Sequence, residues 1–286
     1  MGLGFRVGWV VAAAISFAQL AQAANPVWRV TNTRGQTLYL AGSIHALRSA
    51  DYPLPAAFNQ AFESSSRLAF EVDQNALKRS SADILRLGKY PAGDNLKKHV
   101  DPRTYEYVRR VFALMHVPEM KFAEYRPWLL SLMLDSPSVR GLSEDLGVEE
   151  FLMRRATTNK KPAVGLETAR EHTQVFSGMS DVQAEATLLL TFLPRAAGDI
   201  SSAQLITAWR RGDIDVLWHA VHDSFRDFPS LGERLLEDRN RAWIPKIEGY
   251  FASDQTYMVT VGAAHMGGPQ GLHALLKARG YHIDPL

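Results

Sequence analysis

Residues 37–73 read TLYLAGSIHALRSADYPLPAAFNQAFESSSRLAFEVD, and this stretch decides the fold. Leu38–Ala41 is a short, partly aromatic apolar run, the pattern of a buried strand. It stops at Gly42-Ser43-Ile44-His45, so a histidine stands where the strand ends. Tyr52-Pro53-Leu54-Pro55 opens an amphipathic segment in which Phe58, Ala61 and Phe62 fall at helical spacing. Leu68-Ala69-Phe70 then runs into Glu71-Val72-Asp73, a second apolar strand with acid at its carboxyl end. Strand, GxxH, helix, strand, acid is a layout that brings a histidine and a glutamate to one sheet edge. In α/β proteins that edge is where ligands bind.

The far end of the chain repeats the layout. Thr256–Val261 reads as a strand and ends in Gly262-Ala263-Ala264-His265, a second GxxH. A helix over 272–278 follows, Gly280 terminates it, and Tyr281–Ile283 reads as a closing strand. Near the start, Val27–Val30 reads as a strand that pairs antiparallel with Leu38–Ala41 through the turn around Arg34-Gly35. Between the two ends the pattern is helical. Segments at 80–88, 102–115, 122–134, 142–157, 171–193, 203–209, 214–222 and 231–251 carry helical spacing or flanking signals. One strand, Ala163–Glu167, interrupts them and again ends in an acid. The expectation is therefore mixed α/β: a central mixed sheet built from both chain ends, with a long helical middle, as a single domain over 24–286.

Composition narrows the function classes. The chain has 286 residues, 46% hydrophobic and 22% charged, enough for one large core. Net charge is +2 and there is no Lys/Arg run, so nucleic-acid binding has no electrostatic support and no nucleic-acid partner is expected. Cysteine is absent, which rules out disulfides and thiolate metal sites. At the N-terminus, Arg6, the apolar stretch Val7–Phe17 and Ala21-Gln22-Ala23 form a secretory signal pattern with cleavage after Ala23. The alternative is a retained anchor, but the apolar stretch is shorter than the ~20 residues a spanning helix needs. A periplasmic or secreted location is expected, with no stable membrane span after the signal is removed.

Four strand ends carry groups able to bind metal or move protons: His45, Glu71, Glu167 and His265. Two imidazoles and a carboxylate are a common divalent-metal set. The glycine three residues before each histidine allows a sharp turn and a close approach of backbone to a ligand. Each residue also has a plainer reading. A histidine after a strand can be a hydrogen-bonded turn residue, and Glu71 in an apolar run needs a partner, metal or arginine. Glu167 can be an N-cap or a salt-bridge acid, and Asp73 can face solvent. Arg239-Asn240 inside a helix reads either as a clamp for an oxyanion or substrate, or as a surface pair of Glu237 or Asp238. His219 and His222 lie at i, i+3 without a recurring carboxylate. Trp128, Trp209, Trp218 and Trp243 read as helix-packing residues. GxSxG, phosphate-loop and HExxH motifs are absent.

The segments LYLAGSIH, YPLP, LAFEVD, VGLET, DRNRAW and VGAAHMGGPQGLHALLKARGY occur in this order along the chain. In them the sequence resembles the TraB/GumN family, which includes the Tiki-type metalloproteases. The resemblance implies a divalent-metal hydrolase fold related to the erythromycin-esterase and ChaN-like proteins. It implies manganese or cobalt as the usual metal, zinc being a further divalent candidate. Peptide cleavage is the activity of the Tiki-type relatives, and although a peptide or protein substrate is expected here, the resemblance does not fix it. Carried onto this chain, His45 and His265 are the GxxH histidines, Glu71 the strand-end acid, and Arg239 with Asn240 the helix pair. The expected roles are then metal binding by His45, His265 and Glu71, with Glu71 as ligand or general base. Arg239 and Asn240 are expected at the oxyanion, and Glu167 is a further catalytic candidate. The competing expectations are a non-catalytic envelope protein that binds a peptide or haem-like ligand, and a structural partner in polysaccharide export.

The leader makes a direct prediction. Fractionated cells should hold a mature chain outside the cytoplasm that begins near Ala24, read by N-terminal sequencing. A cytoplasmic chain that keeps residues 1–23 would exclude a cleaved signal.

Overall fold

The structure is a computed structural model that describes residues 25–134, 141–192 and 200–286. The expected leader lies outside these residues. The strands are β1 (Val27–Thr31), β2 (Thr37–Ser43), β3 (Arg67–Val72), β4 (Ala163–Glu167), β5 (Tyr257–Gly262) and β6 (His282–Pro285). They form one mixed sheet in the order β4-β3-β5-β2-β1-β6. β4, β3, β5 and β2 run parallel, while β1 is antiparallel to both β2 and β6. Both chain ends therefore share the sheet, as the repeated layout predicts. The strand after the first GxxH, β3, does not pair with β2. β5 lies between them, with Ala41 opposite Thr260 on one side and Phe70 opposite Thr260 on the other.

The helices are α1 (Ala56–Ser64), α2 (Gln74–Arg79), α3 (Ser81–Leu87), α4 (Pro102–Leu114), α5 (Pro127–Leu134), α6 (Val148–Thr158) and α7 (Ala169–Ser177). They continue as α8 (Asp181–Phe192), α9 (Ser202–Arg210), α10 (Ile214–His222), α11 (Pro229–Gly232), α12 (Asp238–Phe251) and α13 (Leu272–Lys277). Two expectations change. The segment read as one helix over 171–193 is two helices, α7 and α8, parted at Gly178; Leu193 lies outside the described residues. The segment read as 231–251 contains a π-helical turn, Glu233–Glu237, immediately before α12. Such turns widen the helix by one residue and cluster at functional sites. Asp101 caps α4 by accepting from the Arg103 N–H, with Pro102 at the first helical position, as its sequence signals predict.

Each sheet face has its own core. On one, Phe58 and Phe62 of α1, Leu152 of α6 and Trp209 of α9 pack on Leu68, Phe70 and Met258. On the other, Trp243, Ile244, Ile247 and Phe251 of α12 and Leu272 of α13 pack on Leu40, Ala69, Val259 and Val261. Burying a large apolar side chain contributes about 1.5–3 kcal/mol, so these two faces fix α12 and α6 firmly against the sheet. A third cluster, built by α4, α5 and α8 around Phe112, Phe122 and Leu130, makes a smaller core of its own. Among the described residues no helix is long and apolar enough to cross a membrane.

Trp209 does more than pack. Its indole N–H donates to the Gly42 carbonyl at 2.7 Å, tying α9 to the last turn of β2. Trp209→Phe keeps most of the ring area and removes this donor. Urea unfolding should show a loss of at least roughly 1–3 kcal/mol, the cost of a buried carbonyl left without its donor, with the cavity beside the smaller ring adding to it. An unchanged midpoint would show that the tie is energetically idle.

Candidate functional site

The four parallel strands end along one edge of the sheet, at Ser43, Val72, Glu167 and Gly262. The pairing of β3 with β5 runs out at Phe70 and Thr260. The Gly262 N–H beyond it donates 2.7 Å to Glu71 Oε1. A carboxylate thus takes the place of the neighbouring strand's carbonyl. Its other oxygen, Oε2, accepts from the Arg239 guanidinium at 2.7 Å. Glu71 is buried. Burial pushes its pKa up, but the Arg239 charge, the neighbouring His265 and His45 rings and the Gly262 N–H together outweigh it and hold Glu71 well below the usual carboxylate range.

The two GxxH glycines have different uses, and neither has a positive φ. The close approach expected of these glycines is what they provide: the chain needs space at these points, not a special backbone angle. A Cβ on Gly42 would sit 3.1 Å from the Ala263 Cβ, so this glycine lets the two motifs pass each other. A Cβ on Gly262 would sit 3.2 Å from Glu71 Oε1, 3.5 Å from His45 Nε2 and 3.5 Å from His265 Cδ2. The bare Cα of Gly262 is the floor of a cradle walled by those three side chains.

His265 is buried, and its Nδ1 lies 2.7 Å from Asn240 Oδ1. The Asn240 amide nitrogen donates to the Gln270 carbonyl at 2.9 Å, so its oxygen is the atom left to accept. The His265 proton therefore sits on Nδ1, and Nε2 is left as an acceptor, 3.4 Å from an Arg239 guanidinium nitrogen and 3.8 Å from Glu71 Oε1. Burial lowers the His265 pKa to about 3, so the ring is neutral near neutral pH. His45 differs: its side chain is 68% exposed, and its Nδ1 lies 3.0 Å from Oε1 of buried Glu149. The Glu149 charge raises the His45 pKa to about 10; desolvation of the ring edge that faces the carboxylates opposes this and loses. Glu149 Oε1 also accepts from the buried Ser43 hydroxyl.

Arg239 is the hub of the buried charges. Its Nε and one terminal nitrogen reach the two oxygens of Glu167 at 2.7 and 3.0 Å, a bidentate pair, and the same terminal nitrogen holds Glu71. Glu167 also accepts from the Trp243 indole at 2.9 Å and lies 3.0 Å from His172 Nδ1. Burial raises the Glu167 pKa, but His172 and Arg239 outweigh it and the net shift is downward. The Arg239 guanidinium lies 4.7 Å from the Trp243 ring centroid, a cation–π contact.

The structure therefore brings His45, Glu71, Glu167, Arg239, Asn240 and His265 to one edge. Glu167 is not an N-cap, since Thr168 caps α7. Arg239 is not the surface pair; Arg241 makes the ion pairs to Glu233, Glu237 and Asp238. Asp73 caps α2 through the Asn75 and Ala76 N–H groups. His219 and His222 stay apart, exposed beside Asp223 and Trp218. Sequence reasoning missed Glu149 and His172. In Gly147-Val148-Glu149-Glu150 the acids of a first helical turn look like ordinary complements of the helix dipole. His172 stands four residues after the Thr168 cap with no pattern around it. Trp243, read as packing, packs and also donates to Glu167.

His45, Glu71 and Glu149 each offer a ligand atom within 4.8 Å of the others, close enough to share one cation. The charges fit a divalent ion. Glu71, Glu149 and Glu167 set three carboxylates against the one guanidinium of Arg239, which leaves two negative charges. An imidazolium at His45 matches one of them; a divalent cation matches both and displaces that proton. Imidazole and carboxylate donors without thiolate suit manganese, cobalt, zinc or iron.

The sequence profile of the TraB/PrgY/gumN family matches residues 26–285, and the chain belongs to this family. No curated protein and no solved structure matches it.

The Arg239 hub gives a pH-dependent prediction. In the wild type the depressed Glu71 and Glu167 pKa values contribute stability above the ordinary carboxylate range. That stability is lost as pH falls through the depressed values. In chelator-treated Arg239→Met the two buried carboxylates lose their guanidinium and keep only the Gly262, Trp243 and His172 contacts, which should cost up to roughly 3–5 kcal/mol at neutral pH. Protonation relieves the mutant, so its deficit should shrink toward about pH 4. Urea midpoints at the two pH values check this, and a deficit that does not change with pH would remove the hub from the account.

Proposed function

We propose that this protein is a divalent-metal-dependent hydrolase acting outside the cytoplasm, most simply on peptide bonds. The observation that carries the reading is the cradle over Gly262. There Glu71 Oε1 and His45 Nε2 flank one point, and His265 Nε2 lies 3.8 Å from the same Glu71 oxygen. His45, His265 and Glu71 would hold the metal, with Mn, Co or Zn as candidates. Bound there, such an ion supplies a Lewis acid and a water of lowered pKa. Family membership supports the fold-level part of this reading and leaves the reaction to the site.

The chain's own groups divide the remaining work. A carboxylate held well below its usual pKa is a weak base, so Glu71 serves better as ligand than as proton acceptor. Asn240 is committed to His265 and to the Gln270 carbonyl, so its part is to hold the ring. Glu167 anchors Arg239. Two nitrogens of Arg239 are taken by carboxylates. The third, Nη1, has only the Leu235 carbonyl and His265 Nε2, each at 3.4 Å, and is the donor left for a developing oxyanion. His45, the exposed member, marks the side from which a substrate would arrive.

Elemental analysis of the purified protein, beside His45→Ala, His265→Ala and Glu71→Gln, tests the reading. Wild type should carry a divalent metal and cleave members of a peptide library. The two alanine variants should lose most of the metal while remaining folded. Glu71→Gln should lose metal and turnover together. Retained metal with turnover lowered roughly 10²–10⁴-fold would make Glu71 the base instead. Full occupancy in either alanine variant would end the two-histidine site, and a metal-loaded wild type without hydrolysis would favour a binding protein.

A further inference from the structure

Glu149 can stand in either of two places. It can be a ligand alongside His45 and Glu71, or it can stand behind His45 and hold the ring. We infer that Glu149 is the positioning residue for His45: its carboxylate accepts the Nδ1–H hydrogen bond and turns Nε2 into the cradle. The inference rests on the reading of that cradle as a metal site.

The two nitrogens of His45 face different partners. Nδ1 lies 3.0 Å from Glu149 Oε1. Nε2 lies 3.5 Å from the point above Gly262 around which Glu71 and His265 gather. With Nδ1–H given to a carboxylate, Nε2 is the nitrogen that would meet a metal, which displaces its proton. The oxygen that takes Nδ1 also takes the Ser43 hydroxyl, so both of its acceptor sites are filled by the β2 tail. His265 is held in the same manner, with Asn240 Oδ1 at its Nδ1 and Nε2 toward Glu71. Each GxxH ring thus has one side-chain oxygen behind it, charged for His45 and neutral for His265.

The backbone carrying Glu149 is built to serve His45. Leu47 and Ser143 exchange two hydrogen bonds at 3.2 and 2.9 Å, and the Val148 N–H donates to the Ile44 carbonyl at 3.1 Å. A Cβ on Gly147 would sit 2.1 Å from the His45 carbonyl oxygen, a separation only glycine permits. Residues 143–149 therefore bind the GSIH tail on both flanks of the histidine. The His45 side chain is largely exposed, so packing does not fix its rotamer, and the Glu149 contact does. A negative charge behind the ring also raises the basicity of the nitrogen opposite, which strengthens its bond to a metal.

The test uses the full mature chain and Co²⁺, whose absorption bands report coordination number. Glu149→Ala and Glu149→Gln are compared with wild type for Co²⁺ affinity, by competition with a chelator, and for the band pattern. A positioning role predicts wild-type bands in both variants. It predicts an affinity loss of about 10–100-fold for Ala, the usual effect of removing an outer-shell partner, and a smaller loss for Gln, whose amide oxygen still accepts Nδ1–H. Bands of lower coordination number in both variants would make Glu149 a ligand and overturn the inference. Wild-type affinity in both folded variants would overturn it too. If Ala does not fold, Gln carries the comparison. A wild type that binds no Co²⁺ would overturn the metal reading itself, and is seen before any variant is made.

Discussion

The ion cluster of Arg239 with Glu71 and Glu167 is the constraint on which the site depends. All three side chains are about a tenth exposed or less. Removing each charge from water costs several kcal/mol, and only tight geometry offsets that. The geometry is tight: a bidentate contact to Glu167, a 2.7 Å contact to Glu71, and a tryptophan ring under the guanidinium. Three elements, β3, β4 and α12, are joined by one side chain. A hydrophobic trio of similar volume would hold them at lower electrostatic cost. What the charged cluster adds is a carboxylate kept ionised inside the protein, with one oxygen turned to the cradle.

The helix that supplies Arg239 is set by its own irregularity. The π turn over 233–237 precedes α12 directly. Arg239, Asn240 and Trp243 share one face of the helix, at i, i+1 and i+4, and that face meets the sheet edge. From it Arg239 reaches the carboxylates, Asn240 reaches His265, and Trp243 underlies the Arg239 guanidinium and sits 4.6 Å from the His265 ring. One turn of helix thus sets the charge of Glu71 and the tautomer of His265.

The parts of this arrangement differ in how readable they were in the sequence. The sheet was readable, because short apolar runs ended in His45, Glu71, Glu167 and His265, and all four do lie at the carboxyl edge. Arg239-Asn240 stood out because a charged, polar pair opens a helix whose later residues are apolar. Glu149 could not be singled out, since an acid in a first turn is the commonest thing a helix can have there. Its burial arises only because Gly147 allows residues 143–149 to lie against the GSIH tail, a tertiary contact across about a hundred residues. The break between α7 and α8 was masked by apolar spacing that continues through Gly178. The π turn leaves no mark in hydrophobic periodicity at all.

The strand order has a consequence for how the protein comes into being. β5, near the end of the chain, fills the position between β3 and β2, which lie near its start. A ribosome delivers the chain from the N-terminus, so β2 and β3 emerge with no partner strand between them. The sheet cannot close, and neither Gly262 nor His265 can reach Glu71, until almost the whole polypeptide is free. Contacts so distant in sequence form slowly, because the loop-closure entropy is spent before they return anything. The four groups around the cradle therefore meet only in a finished molecule, and a nascent or truncated chain carries none of the assembled chemistry.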